Sequence, residues 1–254
     1  MNVFFPMAGQ GARFGHQFKP FLMLDDTTFI EAAVQPFWRF ASQISRLVFV
    51  YLEEQERTCE VSARLAAMFA GLPSGVKIET VRLEAPTRGP AETIGRAVAR
   101  LGARGPAMVC DCDHSLEVEP LFAAFGFSRS ETGGSALRGF DRFDALLPVW
   151  PLDGEDVAAW SVARVDSDRV LAIAEKQVPP GAGVAMGVIG CYGFPDIAGV
   201  AARAEALRAT SFSDVVAALL AEGGVVRAAR IEHARFFGDP ARLETARTGA
   251  RTRR

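Results

Sequence analysis

A short apolar run, Val3-Phe4-Phe5, empties directly into Pro6-Met7-Ala8-Gly9-Gln10-Gly11-Ala12-Arg13-Phe14, and Lys19-Pro20 follows. The run reads as a buried strand, so the glycines fall in the turn at its end. Such a turn suits a phosphate, because glycine brings backbone N–H groups close to an anion and reaches positive φ at little cost. Arg13 and Lys19 place two cations just beyond it. The stretch is neither common Gly-rich fingerprint. A Walker loop continues Gly-Lys-Ser/Thr, whereas Gly11 is followed by Ala12-Arg13, and a dinucleotide loop needs a third glycine where Phe14 stands. It points to chemistry on the phosphates of a nucleotide; the plainer alternative is a strand-exit loop with two solvated cations.

Periodicity predicts alternating elements along the first half. Strands are expected at Val3 to Phe5, Arg46 to Leu52, Val76 to Leu83 and Ala107 to Cys112. Helices are expected at Thr28 to Ala41, Glu53 to Ala70 and Ala91 to Leu101. In the first of these helices Phe29, Ala33, Phe37 and Phe40 share a face. This β-α-β-α order predicts a mostly parallel sheet with helices on both faces. The second half is less regular. Strands are expected at Ala145 to Trp150, Trp160 to Val165, Val170 to Ile173, Val188 to Phe194 and Val225 to Ile231, some of them antiparallel. Helices are expected at Ser211 to Ala221, capped by Ser213 or Ser211, and at Pro240 to Ala246, capped by Asp239. The Gly-, Ser- and Arg-rich stretch Ser128 to Phe143 has no period and reads as a loop near a site.

One domain of 254 residues is expected: a nucleotide-binding half over about 1–127, a substrate half over about 128–246, and a basic tail over 247–254. A net charge of −2 gives no field for nucleic acid. Neither a signal peptide nor a spanning apolar stretch is expected, which together with the reduced thiols expected of Cys59, Cys110, Cys112 and Cys191 implies a cytoplasmic protein with no membrane partner. All four cysteines read as small buried residues.

Val109-Cys110-Asp111-Cys112-Asp113-His114 carries the second chemical signal. Strand alternation would put Asp111 and Asp113 on one face at the end of a buried strand. Two such carboxylates are costly without a positive partner, and Mg²⁺, an oxygen-seeking ion that uses carboxylates and substrate phosphates together, is the natural one. A solvated loop with a coincidental acid pair is the alternative. Glu84-Ala85-Pro86-Thr87-Arg88-Gly89-Pro90-Ala91 reads as a strand end, a turn and a helix start.

The loop with Arg13-Phe14 and Lys19-Pro20 resembles the first loop of the sugar-nucleotidyltransferase (nucleotidylyl-pyrophosphorylase) family, and short capsule-type members above all. The likeness runs from Val3 to Ala246. It implies a three-layer, Rossmann-like α/β nucleotidyltransferase fold with a mostly parallel central sheet and an antiparallel substrate-side portion. It implies Arg13 on the β- and γ-phosphates, Lys19 between the α-phosphate and the incoming phosphate, and Asp113, with Asp111, as ligands of Mg²⁺. Ala8, Gly9, Gly11, Thr87 and Gly89 would meet the nucleotide, the backbone at Gly89 reading the base. Glu175, Lys176 and Gly190 match the family's acceptor pocket, with Asp111 beside them and Lys176 on the acceptor's phosphate; Trp160-Ser161 resembles the start of its preceding strand. His114 stands beside this set with either a structural or a substrate-touching role.

The chain departs from the family at Phe236-Phe237-Gly238-Asp239-Pro240, where Phe236 stands in place of a second metal-binding Asp. Phe cannot bind Mg²⁺, which leaves Asp111, Asp239 or Glu232 to compensate. The expected activity is transfer of a nucleotidyl group from a nucleoside triphosphate, slightly favouring a pyrimidine, to a sugar 1-phosphate or similar acceptor, with pyrophosphate leaving. The alternatives are a metal-dependent glycosyltransferase of the same fold and a non-catalytic nucleotide-binding homologue.

Overall fold

A computed structural model describes residues 1–72, 75–127 and 142–248. The loop expected at Ser128 to Phe143 and the end of the basic tail lie almost wholly outside them.

Val3, Phe4 and Phe5 are fully buried on both faces of β1 (Asn2–Pro6). Phe4 packs into a core with residues of α4 (Pro90–Leu101), α6 (Ile197–Leu207) and α7 (Phe212–Ala221). Val3 and Phe5 pack into the opposite core with α1 (Phe29–Val34), α3 (Val61–Met68) and α5 (Glu119–Ala124). A strand without a polar face needs cover on both sides, which is why this part of the molecule has three layers.

β1 lies between β4 (Arg46–Leu52) and β6 (Ala107–Cys110), with Phe4 opposite both Val48 and Val109, and β5 (Lys77–Leu83) flanks β4; all these pairings are parallel. Beyond β6 the ten-stranded sheet continues through β12 (Cys191–Phe194), β8 (Ala145–Pro151), β13 (Val226–Arg230), β10 (Arg169–Glu175), β9 (Ser161–Asp166) and β11 (Val184–Val188). There β8 and β13 pair in parallel and the other pairings are antiparallel. β11 also returns to β8, closing a small barrel-like ring. The sequence predicts a mostly parallel central sheet with an antiparallel substrate-side portion; in the structure the parallel pairings are confined to β5-β4-β1-β6 and to β8 with β13, and the closed ring is a feature the periodicity does not predict. β9 and β10 are joined through Ser167 at φ 55°, a reversal that only antiparallel neighbours can use. Two small antiparallel pairs complete the fold: β2 (Met23–Leu24) with β3 (Thr27–Thr28), and β7 (His114–Leu116) with β14 (Ala234–Phe236).

Several expected elements are shorter than their periodicity. The helix expected from Thr28 to Ala41 is α1 followed by a 3-10 turn over Gln35–Gln43, because Pro36 withholds an N–H from the α ladder. Phe29, Ala33, Phe37 and Phe40 are nonetheless all buried. The helix expected from Glu53 to Ala70 is split into α2 (Glu53–Cys59) and α3 by Glu60 at φ 50°. The strand expected from Val188 to Phe194 is broken by Ile189 and Gly190. Ser211, not Ser213, caps α7, in a reciprocal capping box with Asp214. Asp239 caps α8 (Pro240–Arg247) by accepting from the Arg242 N–H. Cys59 is only half-buried, unlike the other three cysteines, and none is in a disulfide. Among the described residues no helix is long and apolar enough to cross a membrane.

The parallel block puts the loops after β1, β5 and β6 on one edge, where ligands of open α/β sheets bind. The start of α4 stiffens that edge. Glu92, in its first turn, accepts from the Arg88 N–H at 2.9 Å, from Arg88 Nε at 2.8 Å and from Arg96 at 2.7 Å. The Arg88 backbone and then its side chain hold the Glu92 carboxyl down to about 2. A folded pKa below the unfolded one contributes stability above the unfolded value, and that contribution fades as pH falls toward the folded one. Glu92→Gln is therefore expected to cost about 1 kcal/mol at pH 7, a modest figure because both arginines are solvated. Denaturation across pH should show the gap to wild type narrowing below about pH 4.5; a constant gap contradicts the assignment.

Candidate active site

Gly11 makes the loop after β1 possible. It sits at φ +63°, and a Cβ there would lie 2.1 Å from the carbonyl oxygen of Gln17. Gly9 faces open space, and its carbonyl accepts from Gln55 at 3.0 Å. The 3-10 turn Ala12–Phe14 then carries Arg13, and a second, Lys19–Phe21 with Pro20 buried, carries Lys19.

β6 stops at Cys110, so strand alternation does not govern Asp111 and Asp113 as the sequence reading expected. The loop does so instead: the Asp111 N–H donates to Gly190 O at 2.7 Å, and the Phe237 N–H donates to Asp113 O at 2.9 Å. Two glycines leave room for the carboxylates. A Cβ on Gly190 would lie 2.2 Å from Asp111 Oδ2, and one on Gly238 would lie 2.7 Å from Asp113 Oδ2.

Lys19 Nζ forms an ion pair with Asp113 Oδ2, and His114 Nδ1 lies 3.3 Å from Asp113 Oδ1. Burial works against the charged form of Asp113. The His114 hydrogen bond and the Lys19 ammonium overcome it and hold the carboxyl below the usual range. Burial, followed by the nearby charge of Asp113, pushes Asp111 the other way. For Lys19 burial opposes the charge, and the Asp113 carboxylate outweighs it and raises the pKa.

Two clefts meet at this acid pair. One of about 480 Å³ is lined by Ala8, Gly9, Gly11, Arg13, Lys19, Thr87 and Gly89 together with Asp111 and Asp113. The other, of about 530 Å³, is lined by Glu175, Lys176 and Gly190 and shares Arg13, Asp111 and Asp113 with the first. The fold thus brings to these two clefts Arg13, Lys19, Asp111, Asp113, Glu175 and Lys176 together with the glycines and Thr87 expected around them, although not always for the expected reason. Gly89 has an extended backbone at φ 168°, and its missing Cβ admits the Thr210 carbonyl, which would otherwise be 2.2 Å away. Thr87 is tied to Thr93 by a 2.6 Å hydroxyl bond.

Phe236 lies in the second cleft, edge-on to Trp150 at 5.6 Å and Trp160 at 5.1 Å. The Arg242 guanidinium stands 5.0 Å from the Trp160 ring centre and 5.7 Å from that of Phe236, and pairs with Glu155 at 3.0 Å and Asp239 at 3.5 Å. Asp239 borders this cleft; Glu232 lines neither cleft. Arg242 escaped the sequence reading because the Asp239-Pro240 signal marks where α8 starts, not where it docks. Ser213 drew attention only as a cap, yet it is buried and bonded to Ser161, Glu175 and Tyr192.

Among the described residues no group of three or more His, Cys, Asp or Glu could hold a metal ion. The pair Asp111 and Asp113 nevertheless fits a hard divalent cation. Both residues line both clefts, and burial beside a second acid penalises the charge of Asp111 in a way a cation relieves. The remaining ligands would come from phosphate and water.

No protein-family model matches the chain, and no curated protein matches it. Solved structures do. The nucleoside-diphosphate-sugar pyrophosphorylase from Vibrio cholerae RC9 is 19% identical over 97% of this chain and 99% of that one, with a TM-score of 0.71. The UTP-bound UGPase from Acinetobacter baumannii is 19% identical over 98% and 92%, also at 0.71. The inositol-1-phosphate CTP transferase from T. maritima is 15% identical over 98% and 96%, at 0.69. At such identities the likeness speaks for the fold, and over nearly its whole length the chain has the mixed α/β fold of these pyrophosphorylases and nucleotidyltransferases.

Proposed function

We propose that the protein is a nucleotidyltransferase that moves a nucleoside monophosphate from a nucleoside triphosphate to a phosphorylated small molecule, a sugar 1-phosphate or similar compound. The observation that carries this reading is that Arg13, Lys19 and Asp113 line one cleft. Residues 1–127 would supply the nucleotide side and residues 128–246 the acceptor side of a single domain. A phosphate oxygen of the acceptor attacks the α-phosphorus, the α–β bridging P–O bond breaks, and pyrophosphate leaves. The attacking phosphate is already anionic near neutral pH, so the site has to align the reactants and neutralise their charge.

Ala8, Gly9 and Gly11 would bring backbone N–H groups toward the triphosphate, with Thr87 and Gly89 bordering the base. Arg13 holds the β- and γ-phosphates. Lys19, now paired with Asp113, bridges the α-phosphate and the incoming phosphate. Lys176 holds the acceptor's phosphate, and Glu175 and Asp111 face the rest of the acceptor alongside Gly190. Mg²⁺ held by Asp113 and Asp111 would supply further neutralisation of the phosphate charge. A glycosyltransferase using a nucleoside diphosphate donor has less use for the Arg13 and Lys19 pair. Among the structures of the same fold are a UTP-bound UGPase and an inositol-1-phosphate CTP transferase, which supports a pyrimidine nucleotide. A cytoplasmic role in nucleotide-sugar supply for capsule or other surface polysaccharide is consistent with this chemistry.

Incubation with each of the four nucleoside triphosphates, Mg²⁺ and a panel of hexose 1-phosphates should release pyrophosphate. Absence of release from every combination rejects the reading. In thermal shift, the preferred triphosphate at 100 times its dissociation constant should add ~2.7 kcal/mol of stability, and a pyrimidine should give the largest shift. Lys19→Ala should lower turnover on the order of 10²-fold, the scale of a single electrostatic contact in a transition state; near-normal turnover contradicts its assigned role.

A further inference from the structure

Glu175 is held by groups that sequence proximity does not connect. It stands opposite Ser161 in the β9–β10 pairing, and Ser161 Oγ donates to its Oε1 at 2.7 Å. Ser213 Oγ, delivered by α7, donates to the same oxygen. Tyr192 OH, from β12, lies 3.2 Å from Ser213 Oγ. Among the described residues none bonds Glu175 Oε2.

The direction of these bonds follows from proton counting. Ser213 Oγ also lies 2.9 Å from Ser161 Oγ; a carboxylate only accepts, so when Ser213 gives its one hydroxyl hydrogen to Glu175, Tyr192 is left to donate to Ser213. Burial pushes the Tyr192 phenol well above its ordinary value, so it keeps the proton this requires. The order is Tyr192 to Ser213 to Glu175, with Ser161 joining at the carboxylate. Glu175, Ser161 and Tyr192 line the second cleft; Ser213 is 2% exposed and lies behind them. Tyr192 is itself packed between aromatic rings, tilted 35° to Phe212 at 5.5 Å and parallel to Phe194 at 6.3 Å.

We infer that Ser213 and Tyr192 are positioning residues for acceptor recognition: they lock one oxygen of Glu175 so that the other is presented to a donor group of the acceptor. The inference rests on the proposed nucleotidyl transfer for the identity of the ligand. It goes beyond that reading in giving a role to a helix residue that cannot touch the substrate.

The test compares wild type, Ser213→Ala, Tyr192→Phe, Glu175→Ala and the double variant Ser213→Ala with Glu175→Ala, using the nucleoside triphosphate and hexose 1-phosphate that wild type turns over. Ser213→Ala should raise KM for the hexose 1-phosphate about tenfold, the ratio expected for one charge-assisted hydrogen bond. Its kcat and its KM for the triphosphate should stay within about threefold, allowing for ordinary context effects. Tyr192→Phe should move in the same direction by less, and it carries the test if Ser213→Ala does not fold. On the Glu175→Ala background, Ser213→Ala should add nothing, since its effect passes through that carboxylate. An unchanged acceptor KM, equal losses in both substrates' KM, or full additivity with Glu175→Ala overturns the inference. If wild type makes no pyrophosphate, the nucleotidyl-transfer reading fails, and crystal structures of the variants then decide the positioning claim. A Glu175 that spreads over several rotamers in Ser213→Ala supports it, and an unmoved Glu175 rejects it.

Discussion

The ion pair between Lys19 and Asp113 joins the two loops on which the rest of the site depends. One loop leaves β1 and the other leaves β6, neighbouring parallel strands whose C-terminal ends lie on the same edge. Each side chain is 23% exposed, so the pair is neither a solvated surface contact nor a dry core one. Lys19 offsets one buried carboxylate and leaves the neighbouring Asp111 with its charge penalised. The result is a polar centre whose charges are incompletely balanced by the protein alone, which is the condition in which a polyanion with its counter-cation binds well.

Glycine serves this centre less through freedom of φ than through the absence of a side chain. Gly11 needs its positive φ, but Gly190 and Gly238 make way for the two carboxylates, and Gly89 makes way for the carbonyl of Thr210. Close backbone approach is being traded for a fixed position of the acids and of the start of α4. Arg242 performs a similar service at the far end, where its guanidinium covers Trp160 and Phe236 while Glu155 and Asp239 hold it from the other side. An apolar residue at position 236 is therefore well accommodated, as part of an aromatic wall.

Much of the first half was legible because β1, β4 and β6 are apolar on both faces and β1 and β6 run out into loops. Those two signals together mark a parallel layer and the edge where ligands bind. The cations and acids could be picked out because their residue types are costly at such places unless they have partners. The ring closed by β11 and β8 was not legible: short antiparallel strands carry weak periodicity, and which of them pair depends on twist and connection length. The helix breaks at Pro36 and Glu60 were not legible from periodicity, because apolar spacing marks which residues face the core and not which peptides keep their α-helical hydrogen bonds.

The sequence by itself determined the strand-to-loop junctions and the residue types at them: Gly11, Arg13 and Lys19 after β1, Asp111 and Asp113 after β6, Glu175 and Lys176 at the end of β10. Local chemistry suffices for that, since burial and turn geometry act on neighbours along the chain. Only the tertiary structure decided that Lys19 meets Asp113, that Arg242 closes the far wall, and that Ser213 and Tyr192 converge on Glu175. Those meetings depend on how the layers stack and which helix lies over which strand, and no spacing along a chain encodes a distance across a packed core.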